Sequence, residues 1–326
     1  ATENNLSGSS EWIENKREAL KNEGYAYIDM SDLVSGDKLS IKSHPLLKSV
    51  IKDALRSVKQ AGNDKSLYDL YKDQHHGSDD ITNNMLEEKN YLPFINAINM
   101  PSMEVKFTGT KYPKGTCLDT FEFFENTKID SDMTKHKQIV ELLGLIVLNL
   151  AEAPLIPYSF PELSTSLDRF TKDLEKYTRH IIDSLESNKL PNIKFDSLHR
   201  ALEMLRSAGL TYEEFVNSWR QYIAETEDLE PTLLSMKRWK WNDDLVSFNQ
   251  RFLFKDSSPT RPGFLNMLIG LPFMAPNVED DEWQWNSFPT IRDSLYTRDF
   301  GKVQSDINQV ATLISMAAQR LFDPYG

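Results

Sequence analysis

Cysteine is nearly missing from this chain: Cys117 is the only one in 326 residues. No disulfide forms within the chain, no Cys-x-x-Cys redox or zinc motif exists, and the lone thiol is expected to be a buried structural one. His-Glu-x-x-His, Gly-x-Ser-x-Gly and Walker-loop patterns are also missing, which removes the commonest competing enzyme classes. Long apolar runs are absent: the longest, residues 142–150, falls far short of the roughly 20 needed to cross a bilayer. No signal-peptide pattern is present. Basic residues are the minority, 37 Lys and Arg against 49 Asp and Glu for a net charge of −12. The average field therefore repels nucleic acid and anionic membrane, and neither is expected as a partner. The basic cluster Lys237-Arg238-Trp239-Lys240-Trp241 reads as a helix face. Tryptophans two apart point to opposite sides of a helix, and Asp243-Asp244 follow to cancel the charge.

What is present suffices for substantial cores: 40% hydrophobic and 11% aromatic residues, in a length that suggests about two domains. The first part is mixed. Helical periodicity covers 11–22, an amphipathic helix 45–59 places Leu46, Leu47, Val50, Ile51, Ala54 and Leu55 on one face, and strands are predicted at 25–28 and 103–108. Residues 135–151 form a buried helix on that sheet. After the proline-marked stretch 154–161 come helices at 162–185, 195–207, 211–226 and 231–252, an irregular proline-rich excursion, and a final helix at 302–322. The stripe Val303, Ile307, Val310, Ile314, Ala317 and Leu321 on that last helix is a core face first and an interface second. His75-His76 with Asp79-Asp80 has the composition of a metal cluster, but the polar, aperiodic surroundings of Gly77 favour a solvated loop.

Several motifs occur in a fixed order. Ser9-Ser10-Glu11-Trp12 opens a helix, Gly24-Tyr25-Ala26-Tyr27-Ile28-Asp29 leads a strand, and Ser43-His44-Pro45-Leu46-Leu47 starts the next helix. Lys65-Ser66-Leu67-Tyr68, Tyr112-Pro113-Lys114-Gly115-Thr116 with Asp119-Thr120-Phe121, and Glu152-Ala153-Pro154-Leu155-Ile156-Pro157-Tyr158 follow. Together they resemble the C-terminal part of the M28 peptidase superfamily related to glutamate carboxypeptidase, over nearly the whole chain. The glycine at 115, where peptidases carry a zinc-binding histidine, is similar to the transferrin-receptor branch.

The resemblance implies a fold and a degenerate site. The fold is an α/β peptidase-like lobe with a partial zinc-aminopeptidase-like sheet over residues 1–158, then an all-α helical dimerisation domain over 159–326. Ungapped spacing sets Thr2 at the catalytic base, Glu3 at a zinc-binding glutamate and Ser31 at a zinc-binding aspartate, with Asp32 its neighbour. A threonine cannot take a proton from metal-bound water at neutral pH, and neither serine nor glycine replaces the ligands a zinc ion needs at about 2.0–2.2 Å. On the substrate side, Glu87-Glu88-Lys89-Asn90 stands where carboxypeptidases have a Gly/Ser-rich loop. Glu104 with Lys106 stands where they present arginines, so an acidic substrate would meet like charge.

The expectation is a catalytically inactive dimeric module without cofactor, binding or sorting a protein partner such as receptor cargo or a membrane transporter. The resemblance places it on the luminal or extracellular side of a single-pass protein, endosomal or vacuolar in fungal relatives, with an anchor upstream. Asn5-Leu6-Ser7 supplies an N-glycosylation sequon. The competing expectation is an active zinc carboxypeptidase or aminopeptidase whose ligands fall a residue or two from these positions.

Overall fold

A computed structural model describes residues 6–81, 85, 87–109, 112–127, 129–185, 191–226, 230–254, 263–273 and 283–322. Thr2, Glu3 and Asn5 lie outside the described residues. In chain order the elements are α1 (Ser7–Glu23), β1 (Tyr27–Asp29), β2 (Lys38–Ser43), a 3-10 turn (Pro45–Leu47), α2 (Lys48–Ser57), α3 (Leu67–Gln74), α4 (Tyr91–Ile98), β3 (Ser102–Thr108), α5 (Phe121–Asn126), α6 (Thr134–Glu152), α7 (Phe160–Asp183), α8 (Asp196–Glu225), α9 (Thr232–Phe248), a second 3-10 turn (Asn249–Phe252), α10 (Pro289–Tyr296) and α11 (Phe300–Phe322). They group into two compact units. One comprises residues 28–83 and 102–158, the other 1–27, 84–101 and 159–326. The last boundary between the units falls at Ser159, and residues 1–27 and 84–101 group with the helical unit.

The smaller unit is built on three strands in the order β1–β3–β2. β2 runs antiparallel to β3 with Leu39 opposite Phe107 and Ile41 opposite Val105, all buried. Alternation does the rest: the other face carries Lys42 opposite Glu104. The predicted apolar face of α2 is buried from Leu46 to Leu55, and α2 packs against α6, which also touches β3. Helix α6 is corrected from wholly buried to one-sided, because Ile139, Leu142, Leu143, Ile146 and Leu150 are covered while Val140, Val147 and Leu148 are exposed.

His44 starts the 3-10 turn. Its Nδ1 accepts from the Leu46 N–H at 3.3 Å, and the imidazole is buried. Burial pushes its pKa down to about 3, below the ordinary value of about 6.5, so the folded ring stays neutral where the unfolded one is protonated. The stability this contributes is complete above pH 6.5 and is lost as pH falls from there toward 3. Between pH 6.5 and 5, hydrogen exchange of the β2 and β3 amides should report a loss of about 2 kcal/mol that His44→Gln does not share. Equal slopes in the two proteins would refute the assignment.

In the helical unit, α8 lies along both α7 and α11. The sequence suggested two helices, 195–207 and 211–226, divided near Gly209. They are one 30-residue helix. Gly209 is a contact point: a Cβ there would stand 2.7 Å from the Phe160 Cβ, so only glycine lets α7 and α8 approach so closely. Arg292 of α10 is buried between the rings of Tyr177 and Trp285, at 5.3 and 5.5 Å, with Nη2 donating to Asp173 Oδ2 at 2.7 Å. The same oxygen accepts from the Gln284 N–H. Asn266 donates to the Ile95 carbonyl and to Asn99 Oδ1, while its own Oδ1 accepts from the N–H groups of Leu268 and Ile269. Buried irregular backbone is satisfied by amide side chains here.

A further correction concerns self-association. Val303, Ile307, Val310, Ile314, Ala317 and Leu321 are all buried within the unit, with α11 laid against α8. A side chain that fills the core of its own chain is not available to a second copy, so this stripe is core alone.

Candidate functional site

The strand end of β1 and the loop after β3 meet where the degenerate site was expected. Asp29 is only 2% exposed, and its Oδ1 accepts from both the N–H and the hydroxyl of Ser31, at 2.9 and 2.6 Å. Its Oδ2 is buried without a hydrogen-bond partner among the described residues. Ser31 thus spends its hydroxyl on its own turn. Asp32 follows with φ +56°, a left-handed conformation that aspartate tolerates better than most residues. Its Oδ1 receives the Lys114 ammonium at 2.6 Å.

Lys114 belongs to a tight turn. The Gly115 N–H donates to Asp119 Oδ2 at 2.9 Å, and the Thr116 hydroxyl donates to the Pro113 carbonyl. The Gly115 N–H, then the Tyr112 hydroxyl, hold the Asp119 carboxyl below its ordinary range. Thr120 Oγ1 accepts from the Phe123 N–H and starts α5. Gly115 has φ +72° and open space where a Cβ would go. Backbone conformation, not crowding, therefore suits this position to glycine.

Each residue of the ion pair neighbours a position that the resemblance aligns with a zinc ligand: Asp32 follows Ser31, and Lys114 precedes Gly115. A metal coordinated by an aspartate at 31 and a histidine at 115 would tie the strand end to the loop. Here an ammonium–carboxylate pair ties the same two segments. Both partners are partly exposed, so the pair holds only modest energy. The pair also occupies the Asp32 carboxylate, the nearest acidic neighbour of Ser31 on its C-terminal side. Among the described residues no group of three or more His, Cys, Asp and Glu side chains could hold a metal ion. These residues do not fit zinc. Sequence reasoning missed Lys114, because only the fold brings it to Asp32, 82 residues away.

The other candidates are engaged elsewhere. His75 Nδ1 lies 2.8 Å from the Tyr71 carbonyl and its ring stacks on Tyr71. Asp79 is bound by Lys52 at 2.7 Å, which with the Tyr68 hydroxyl keeps its carboxyl ionised, and Asp80 pairs with Lys48. Glu104 is 1% exposed and pairs with Lys106 at 3.3 Å inside the sheet. Cys117 is corrected from a buried to an exposed thiol, because the turn turns outward after Gly115. In the helical unit, Glu88 and Glu14 line a hollow of 490 Å³ together with Leu6, Ile13, Leu92 and Phe264. Its two carboxylates disfavour an acidic guest.

Residues 193–322 match the transferrin receptor-like dimerisation domain family. Three relatives are similar over most of the chain. Budding yeast's putative zinc metalloprotease TRE2 is 24% identical over 97% of this chain and 38% of its own length. The probable glutamate carboxypeptidase LAMP1 of Arabidopsis thaliana is 26% identical over 90% of the chain and 39% of its own. The inactive zinc metalloprotease C354.09c of fission yeast is 23% identical over 96% of the chain and 36% of its own. The chain thus spans less than two-fifths of the length of these relatives. The family match and these relatives together support a likeness to the transferrin-receptor-like branch of the M28 peptidases.

Proposed function

We propose that this chain is part of a catalytically inactive M28-like protein that works as a dimeric binding or sorting module. The carrying observation is the substituted strand end and loop, where Ser31 and Gly115 stand at two ligand positions and the Lys114–Asp32 ion pair links their neighbours. Catalysis by a zinc-bound hydroxide needs the metal held by several donors and a carboxylate beside the water. Ser31 offers a hydroxyl already donated to Asp29, Gly115 offers nothing, and Thr2 stands at the base. The inactive fission yeast relative is compatible with this reading.

Self-association is supported by the match to a dimerisation domain. In the proposed division by descent, residues 1–158 derive from the peptidase-like domain and 159–326 from the dimerisation domain. No helix among the described residues is long and apolar enough to cross a membrane. A luminal or extracellular setting, glycosylation of Asn5 and a transporter or receptor as cargo remain proposals from the resemblance. An active zinc peptidase is the second reading, and the carboxylates favouring it are Asp29, with its unpartnered buried oxygen, and Asp32.

Assays of the intact protein with carboxypeptidase and aminopeptidase substrates, with zinc supplied, separate the two. The expected result is turnover indistinguishable from buffer and a dimer by sedimentation at micromolar concentration. Zinc-dependent turnover removed by chelation would overturn the inactive reading, and a monomer would overturn the dimeric one.

A further inference from the structure

The hollow of the helical unit is lined by α1, by α4 and by residues 263–271, and hydrogen bonds hold these three segments to one another. The Ser9 hydroxyl of α1 donates to Asn90 Oδ1 at 3.2 Å at the start of α4, and the Leu265 N–H donates to the Asn96 carbonyl at 2.8 Å. The walls are therefore in place before a guest arrives. Leu6, Ile13, Leu92 and Phe264 make the lining largely apolar, and the volume of 490 Å³ lies within the roughly 300–1,000 Å³ of ligand sites. Asn96 is the buried polar side chain of the lining, 7% exposed. Its Oδ1 accepts from the Leu271 N–H at 3.2 Å, which fixes the amide and leaves its nitrogen as the side that can donate to a guest. Gly270 protects this arrangement, because a Cβ there would stand 2.8 Å from the same oxygen.

Charge sets the sign of the guest. Glu14 of α1 and Glu88 of the turn before α4 both line the hollow, and neither pairs with a cation among the described residues. Their neighbours do: Glu18 holds Lys21 at 3.1 Å, and Glu87 holds Lys89 at 3.3 Å. Two uncompensated carboxylates beside apolar walls focus a negative potential in the hollow. We propose that it takes a segment of a protein partner in which an apolar side chain stands next to a lysine or arginine; this names the partner's chemistry for the binding-module reading above and rests on it. The apolar side chain seats against Ile13, Leu92 and Phe264, the cation pairs with Glu14 and Glu88, and a backbone carbonyl of the same segment accepts from the Asn96 amide. A peptide meets all three demands at once. A small amine lacks the carbonyl, and an acidic segment meets like charge.

Fluorescence anisotropy of the intact protein with a labelled, end-capped hexapeptide carrying a central Phe-Lys pair tests this. Saturable binding below about 1 mM is expected, with hydrogen exchange slowed along α4, and the same peptide with Phe-Glu should not bind. Glu14→Gln with Glu88→Gln should weaken binding about tenfold. Glu203→Gln with Glu214→Gln, an equal change of charge at exposed positions of α8, should leave it unchanged. Because Glu14 and Glu88 are exposed, neither pair of substitutions should move the melting temperature. Glu14→Lys with Glu88→Lys should turn the preference to the Phe-Glu peptide. Absence of saturable binding, equal effects of the two glutamine pairs, or phenethylamine binding as tightly as the peptide would overturn the assignment. Each of these results leaves the inactive reading standing, which falls instead with zinc-dependent turnover.

Discussion

Ile314→Glu unfolds the helical unit instead of releasing monomers. Ile314 is buried on the face of α11 that lies against α8. A carboxylate there either ionises without a partner or takes up a proton, and both cost free energy alongside the lost packing. The expected loss is about 4 kcal/mol or more, which belongs to the exceptional class of single substitutions and is a large part of a domain's stability. Urea unfolding followed by helical circular dichroism measures it. The readout that decides is the combination with sedimentation: aggregated or expanded chains with lost helicity match the core assignment. Well-folded monomers with a near-native urea midpoint would restore the stripe to the interface.

The second large effect lies in the Arg292 site. Asp173→Ala leaves the guanidinium buried between Tyr177 and Trp285 with its carboxylate gone, and it removes the acceptor of the Gln284 N–H. Breaking a buried pair on one side typically costs about 3–5 kcal/mol. Replacing both partners by apolar residues of similar size is far milder, because no charge is then stranded. Asp173→Ala should therefore lower the melting temperature more than the double substitution Asp173→Leu with Arg292→Met. If the double substitution is the worse of the two, the ion pair contributes net stability beyond its desolvation cost and this account of the site is wrong.

These cases show which features a single sequence makes legible. The apolar face of α2 was readable because its period is local, and β3 because Val105, Phe107 and Thr108 are strand-favouring residues. The α8 break was misread, since a glycine that ends a helix and one that admits a neighbouring helix look alike until Phe160 is seen against it. Strand β2, Lys38–Ser43, was missed because its outward face is polar and lysine-rich. The α11 stripe was legible as apolar but not as core or interface, a distinction that depends on which element arrives opposite. Of the candidate site, Ser31 and Gly115 were placed by the family resemblance, and their descent from ligand positions stays a proposal. The pairing of Asp32 with Lys114 was not legible, because the two are distant in sequence and only the fold brings them together. Cys117 was misassigned for a similar reason: its exposure follows from the left-handed turn at Gly115, not from its own chemistry.

The most direct test of the central claim is the zinc content of the intact protein after dialysis, measured together with Gly115→His. The account predicts no stoichiometric zinc in either protein. Open space around Gly115 admits an imidazole at a backbone cost of about 1–2 kcal/mol, but Ser31 donates its hydroxyl to Asp29 and Asp32 is taken up by Lys114. One or two tightly held zinc ions per chain in the parent protein would contradict the account outright.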